Sequence, residues 1–281
     1  MIWTTYAQLI DDIGISDANR AVRAKWDDTG ELATSHMLPS AGHHTFNVGE
    51  GDFGLTTIKH VPWKKAIDEI RWIYQDKSND VNLLEEKYGI KWWRPWANES
   101  GTIGFSYGYQ IKNKVRYIPD KDGFKLLDQM DWLLWKLKTS PDRRMIMSMF
   151  SPEDEAHKQL QECAYETIWT VRGDELNMML IQRSSDYFVA GAINQFQYCA
   201  LLAMVAHATG YKVGIMEYVI ADLHMYDRHR EQVMEIAKRE PKEQPKVKLR
   251  EDAPKDFYQI TSDDFVVEYE SYPPDKMDVA I

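Results

Sequence analysis

KQLQECAYETIWTVRGDELNMMLIQRSSD runs from Lys158 to Asp186. Two apolar runs, AYETIWTV (164–171) and ELNMMLIQ (175–182), flank Arg172-Gly173-Asp174. Short apolar runs on either side of a glycine-centred triplet predict a hairpin. The triplet is read as turn chemistry rather than an adhesion signal, because glycine and aspartate suit tight turns. Cys163 stands at the start of the first strand, and Arg183, Ser184 and Asp186 close the second. The hairpin therefore returns an arginine toward a thiol. A neighbouring cation favours the thiolate, the reactive form of cysteine. Cys199, the other cysteine, lies inside an apolar run and reads as core filler.

Working outward, RRMIMSMF (143–150) predicts another strand, with Arg143 and Arg144 ahead of it. PWKKAIDEIRWIYQ (62–75) places Ala66, Ile67, Ile70, Ile73 and Tyr74 at helical spacing. Residues 123–138 do the same with Leu126, Leu127, Met130, Leu133, Leu134 and Leu137. NQFQYCALLAMVAHAT (194–209) is the most apolar helix, expected at the centre of the core, with Asn194 as its N-cap and Gly210 beyond its end. IMEYVIADLHMY (215–226) reads as a strand leading into the helix DRHREQVMEIAKRE. A charged, proline-containing segment (240–256) follows, and DFVVEYESY reads as a last strand. Strands and helices mixed without strict alternation predict an α+β fold, taken as one domain over residues 1–281.

The net charge of −10 argues against a chain that wraps nucleic acid or coats an anionic membrane. Two cysteines make neither a disulfide framework nor a zinc site, and no metal is expected. MIWTTYAQLIDDIG has early acidic residues and no apolar centre, so no secretion signal is expected. No apolar run is expected to reach the roughly 18 residues of a membrane span. The expectation is a cytoplasmic protein.

Several polar residues are placed for chemistry. Paired arginines such as Arg143-Arg144 present planar donor forks that suit a phosphate, although a solvated loop explains them equally. His224 and Tyr226 alternate along one strand and so face one side, where both can bond a sugar hydroxyl. The Asn194 amide carries donor and acceptor together and can read a base edge. Glu69 lies in a largely apolar helix, where a carboxylate is either paired or held for proton transfer.

These residues together resemble the thymidylate synthase family over nearly the whole chain. The resemblance rests on RRMIM, the lone Cys163, IQRSSD, the Asn194 helix, DLHMY and the terminal Val279-Ala280-Ile281. KWDDTG, SNDVN (78–82) and TIGFSYGYQ (102–110) resemble the Bacillus and phage subgroup. The resemblance implies an α+β sandwich whose large mixed sheet forms a homodimer interface, with Arg143 and Arg144 entering the partner's site. It implies that Arg23, Arg183 and Ser184 also meet the phosphate of dUMP, that Asn194 bonds the ring, and that His224 and Tyr226 hold the 3′-hydroxyl. It implies that Cys163 adds to C6, Glu69 shuttles protons and Tyr107 helps remove the C5 proton. The cosubstrate implied is 5,10-methylenetetrahydrofolate, met by Trp93, Trp96, Leu160, Asp186, Ala190, Ile193 and Ala280. The segment ending at Ile281 is similar to one that closes over the ligands.

The chain also departs from the family. Glu162 replaces the usual proline before the cysteine, and Ala164 follows it. Trp92-Trp93-Arg94 replaces Ile-Trp-Asp, Ala190-Gly191-Ala192-Ile193-Asn194 replaces Gly-x-Pro-Phe-Asn, and Ala221 replaces a glycine. These positions belong to the folate side, while the nucleotide positions are largely kept. A carboxylate at Glu162 is expected to bind or activate water, giving 5-hydroxymethyl-dUMP, a product of phage DNA modification. The alternative is dTMP with dihydrofolate, which the retained Trp93 and Val279-Ala280-Ile281 favour. Asn194 favours uracil over cytosine. A dCMP or CMP hydroxymethylase, an RNA-binding role and a non-catalytic homologue are further alternatives.

Overall fold

Arg172-Gly173-Asp174 joins β7 (Ala164–Arg172) to β8 (Glu175–Asp186), with Gly173 at φ 64°. The pairing is antiparallel and runs from Ala164 opposite Gln182 to Arg172 opposite Glu175, with a register shift between Ala164 and Glu166. The structure is a computed structural model that describes residues 2–13, 20–38 and 40–281, the side chains of 2, 13 and 20–23 excepted.

The hairpin lies within a seven-stranded sheet. Its remaining strands are β1 (Arg20–Lys25), β2 (Leu32–Met37), β3 (Gly42–Asn47), β6 (Met145–Ser148) and β9 (Lys212–Tyr226). The order is β1-β2-β9-β8-β7-β6, and β3 pairs with β9 beside β2. All pairs are antiparallel except β8 with β9, which are parallel. A parallel pair needs a long crossover. Here it contains a π-turn (Tyr187–Gly191) and then the helix Ala192–Thr209.

The other helices, in chain order, are α1 (Ile2–Ile13), α2 (Trp63–Tyr74), α3 (Val81–Tyr88), α4 (Gly108–Asn113) and α5 (Gln129–Thr139). The crossover helix is α6, and α7 (Arg230–Ala237) follows β9. Ala66, Ile67, Ile70 and Ile73 of α2 are buried against α6. The amphipathic spacing read in 62–75 is thus the inner face of a helix.

Three expectations need correction. Gly123–Leu127 is not helix but β5, paired with β4 (Arg116–Asp120). Tyr117 faces Leu126 and Pro119 faces Phe124 across this hairpin. Asp128 then starts α5, its side chain accepting the Asp131 N–H at 2.9 Å. Its leucines satisfied both periods, and the capping aspartate was the missed boundary. Asn194 is not the N-cap of α6. The helix begins at Ala192 and the π-turn leads straight into it, so Gly191, already helical at φ −58°, takes that place. The Tyr187–Thr209 stretch of 23 residues, mean hydropathy 1.4, is long and apolar enough to cross a membrane, contrary to the sequence expectation. It is largely buried inside the protein, as a core helix is. Segment 240–256 contains β10 (Lys246–Leu249), which pairs with β11 (Phe265–Glu268).

Candidate active site

Cys163 lies just before β7, half-buried, and two neighbours fix its backbone. Its carbonyl accepts the Arg183 N–H at 2.9 Å, and its own N–H donates to the Tyr107 hydroxyl at 3.0 Å. Arg183 comes back along β8, as the hairpin predicted. Its Nε and Nη2 donate to the Glu162 and Gln161 carbonyls at 3.0 and 2.9 Å. Nη2 stands 3.7 Å from Cys163 Sγ. Burial pushes the Cys163 thiol up, and the Arg183 charge opposes that without outweighing it. The resting thiol is therefore less acidic than a neighbouring arginine alone predicts.

Tyr107 approaches from the other side. It is buried and has φ 48° and ψ −107°, one of two non-glycine residues with positive φ among those described. A strained backbone at the residue touching Cys163 marks a constrained site. The next residue has to be glycine: a Cβ at Gly108 would lie 2.1 Å from the Ser78 carbonyl oxygen.

Glu162 is buried at 2% exposure and does not face solvent. One oxygen accepts the Tyr107 N–H at 3.2 Å, and the other accepts Lys158 Nζ at 2.8 Å. The Lys158 side chain is equally buried. The carboxylate expected to activate water is already committed to two protein donors.

Glu69 is buried on α2 and accepts three donors: Trp93 Nε1 at 2.6 Å, Gln197 Nε2 at 2.6 Å and Trp92 Nε1 at 3.1 Å. Burial pushes its carboxyl up to about 7, against the lowering effect of these donors. Gln197 Oε1 in turn accepts Asn194 Nδ2 at 3.0 Å, and Asn194 Oδ1 accepts Gln182 Nε2 at 3.2 Å. Gln182 Oε1 accepts the Tyr218 hydroxyl. One hydrogen-bonded chain thus joins Asn194 to Glu69. Gln182 and Gln197 were missed in the sequence. The signal for Gln197 was its spacing, one helical turn after Asn194 on α6.

The parallel register sets Ser184 opposite Asp222 and Asp186 opposite His224. The His224 and Tyr226 rings meet edge to face at 5.2 Å, so the alternation argument holds. Asp222 Oδ1 lies 3.2 Å from His224 Nδ1, while His224 Nε2 is buried and unpartnered. Asp186 is also raised by burial, and its Oδ1 is buried and unpartnered. Trp93 packs edge to face with Tyr107 at 5.1 Å and with Trp96 at 5.9 Å. The Leu160 carbonyl accepts Ser106 Oγ at 2.6 Å. Leu160, Ala190 and Ile193 are half-buried. Ala280 packs with Trp26 and Tyr226, and Ile281 pairs with the backbone of Lys25. Arg143 and Arg144 are exposed, and neither guanidinium forms an ion pair among the described residues. Arg23 lies in β1, with its side chain outside the described residues.

A thiol held between a tyrosine and an arginine, with a buried carboxylate wired to an amide, is the equipment of an enzyme that works by covalent attack. The comparisons identify the class. The thymidylate synthase family model matches residues 4–281. The chain is 40% identical over 264 residues to thymidylate synthase of Bacillus subtilis subsp. natto, covering 92% of this chain and 91% of that one. It is 39% identical over 264 residues to thymidylate synthase of Bacillus phage phi3T, covering 92% of this chain and 91% of that one. The solved structure of thermostable thymidylate synthase A from Bacillus subtilis superposes with a TM-score of 0.87 at 35% identity, covering 99% of both chains. The chain belongs to the thymidylate synthase family, one-carbon transferases that act on dUMP with 5,10-methylenetetrahydrofolate.

Proposed function

We propose that this chain makes dTMP and dihydrofolate from dUMP. The observation that carries the choice of product is the Glu162 carboxylate, buried and engaged by the Tyr107 N–H and Lys158 Nζ rather than open to solvent. The names of the relatives described above point the same way. Hydroxymethylation, expected from the substitutions around the cysteine, is the less supported reading, because Glu162 braces Tyr107 and Lys158 instead of facing solvent.

In this reading Cys163 Sγ bonds to C6 of the pyrimidine, which makes C5 nucleophilic. Asn194 orients the ring, and Arg183 and Ser184 hold the phosphate with Arg23. His224 and Tyr226 take the sugar hydroxyl. Glu69, poised near neutrality, exchanges protons with the ring side of the site. Tyr107 assists loss of the C5 proton. The cosubstrate supplies the one-carbon unit and the hydride. Two features fit its flat, donor-bearing ring: the Trp93–Trp96 wall and the unpartnered Asp186 oxygen. By resemblance to the family, Leu160, Ala190, Ile193 and Ala280 meet the same cosubstrate.

The active form is a homodimer of single-domain chains of residues 1–281, working in the cytoplasm. What supports the dimer is the outer face of the large sheet, where Ile168, Met179, Ile181, Ile215 and Val219 are apolar and incompletely buried. Arg143 and Arg144, free of ion pairs among the described residues, then reach the partner's phosphate site.

The test is the mass of the nucleotide formed from dUMP and 5,10-methylenetetrahydrofolate, with the folate product identified in the same reaction. dTMP with dihydrofolate supports the proposal. 5-Hydroxymethyl-dUMP with tetrahydrofolate overturns it.

A further inference from the structure

Cys163, Glu162 and Tyr107 form a closed ring of contacts. Glu162 and Cys163 are adjacent in the chain. The Glu162 carboxylate accepts the Tyr107 N–H at 3.2 Å. The Tyr107 hydroxyl accepts the Cys163 N–H at 3.0 Å. Tyr107 is thereby tied at both ends, by its backbone to one residue and by its ring to the next. Its φ of 48° and ψ of −107° are costly for any side chain, so the surroundings must hold that conformation. A carboxylate aimed at that N–H is one such hold.

The carboxylate is itself fixed. Lys158, four residues earlier in sequence, places Nζ 2.8 Å from its second oxygen, and both side chains are 2% exposed. Residues 157 and 158 also pass against the loop before Tyr107. Gly104 bridges to Lys158, and the His157 carbonyl accepts the Phe105 N–H at 3.0 Å. A Cβ at Gly104 would stand 2.1 Å from the His157 carbonyl oxygen, so the two loops meet backbone to backbone. Two ions are rarely buried for stability alone, since desolvation offsets most of their attraction. The pair stands where two loops must keep register around a nucleophile.

We infer that Glu162, braced by Lys158, is a positioning residue that holds Tyr107 against Cys163 for the reaction proposed above. The inference rests on that functional reading. Glu162 touches no reacting atom and acts through the Tyr107 backbone. It therefore governs turnover more than nucleotide affinity. Its charge also reaches the thiol, in the direction that keeps Cys163 protonated at rest.

The experiment compares three proteins: wild type, Glu162→Gln with Lys158→Met, and Glu162→Leu with Lys158→Met. Glutamine keeps an acceptor for the Tyr107 N–H and leucine removes it, and neither variant strands the buried Lys158 charge. The readouts are kcat and KM for dUMP, and the pH dependence of Cys163 alkylation by iodoacetamide. The glutamine variant should slow turnover only several-fold and move the alkylation midpoint to lower pH. The leucine variant should lower kcat by about 100-fold, with KM for dUMP little altered. Equal kcat in the two variants overturns the inference, because the acceptor is then irrelevant. So does a parallel loss of kcat, KM and thermal stability, which is the mark of a packing role. A wild-type chain that turns over no dUMP overturns the functional reading and this inference with it. Active wild type beside two equal variants overturns this inference alone.

Discussion

Gln197 Nε2 donates to Glu69 Oε2 at 2.6 Å, and this bond sets the direction of every bond behind it. Indole nitrogens only donate, so Trp92 and Trp93 require Glu69 to accept. An ionised Glu69 likewise takes a donor from Gln197. Gln197 must then turn its oxygen toward Asn194 Nδ2, which leaves Asn194 Oδ1 for Gln182. The remaining N–H and lone pair of Asn194 are thereby presented in a fixed sense, and under the proposed function they are the groups that meet O4 and N3–H of uracil. Rotating the amide for cytosine would set oxygen against oxygen at Gln197. Gln197→Met should therefore narrow the preference for dUMP over dCMP by roughly 10-fold. Equilibrium dialysis with the two nucleotides measures it, and an unchanged ratio refutes the argument.

Glu69 also links stability to pH. Its folded value of about 7 lies above the ordinary 4.5. Between those values the folded chain holds a proton that the unfolded chain has released. The contribution is full below the lower value, declines as pH rises through the interval and is gone above it. Its size is on the order of 3 kcal/mol. Urea unfolding at pH 5 and pH 8 should show wild type losing more stability across this range than Glu69→Gln. An equal loss in both excludes Glu69 as the source.

Tyr107→Phe deletes the acceptor of the Cys163 N–H and keeps the ring packed on Trp93. Turnover should fall by about 100-fold, while unfolding free energy drops by roughly 1–3 kcal/mol. Steady-state rates set beside a denaturation curve separate the two effects. Near-normal kcat would remove Tyr107 from the chemistry.

Arg143→Ala should weaken dUMP binding, most visibly as a raised KM. A mixture of Arg143→Ala and Cys163→Ala chains, dissociated and reassociated, should turn over limiting dUMP faster than the two proteins do separately, because one site per heterodimer is then intact. Absence of recovery in heterodimers verified by mass would place the arginines outside a shared site.

The hairpin around Gly173 was legible because local chemistry decides it. α2 was legible from periodicity, and the order of motifs gave the family. What escaped depended on distant partners. Gly123–Leu127 carries a pattern that helix and strand both accept, and only its pairing with Arg116–Asp120 decides. Glu162 reads in sequence as a new acid beside a thiol. Its meaning changes once Lys158 and the Tyr107 N–H are seen to consume it. Gln182 and Gln197 are ordinary amides until the fold sets them in line with Asn194.

β8 and β9 run parallel, so Ser184 and Asp186 finish beside Asp222 and His224 only after α6 has crossed the sheet. Non-local pairing of this kind forms slowly, because the loop must close before the contacts stabilise it. The proposed nucleotide pocket therefore exists only where this long-range pairing is complete. A nucleotide that binds there favours the finished chain by mass action. Saturating dUMP should act as a folding aid as well as a substrate, and cellular nucleotide supply becomes a determinant of how long each copy of the protein survives.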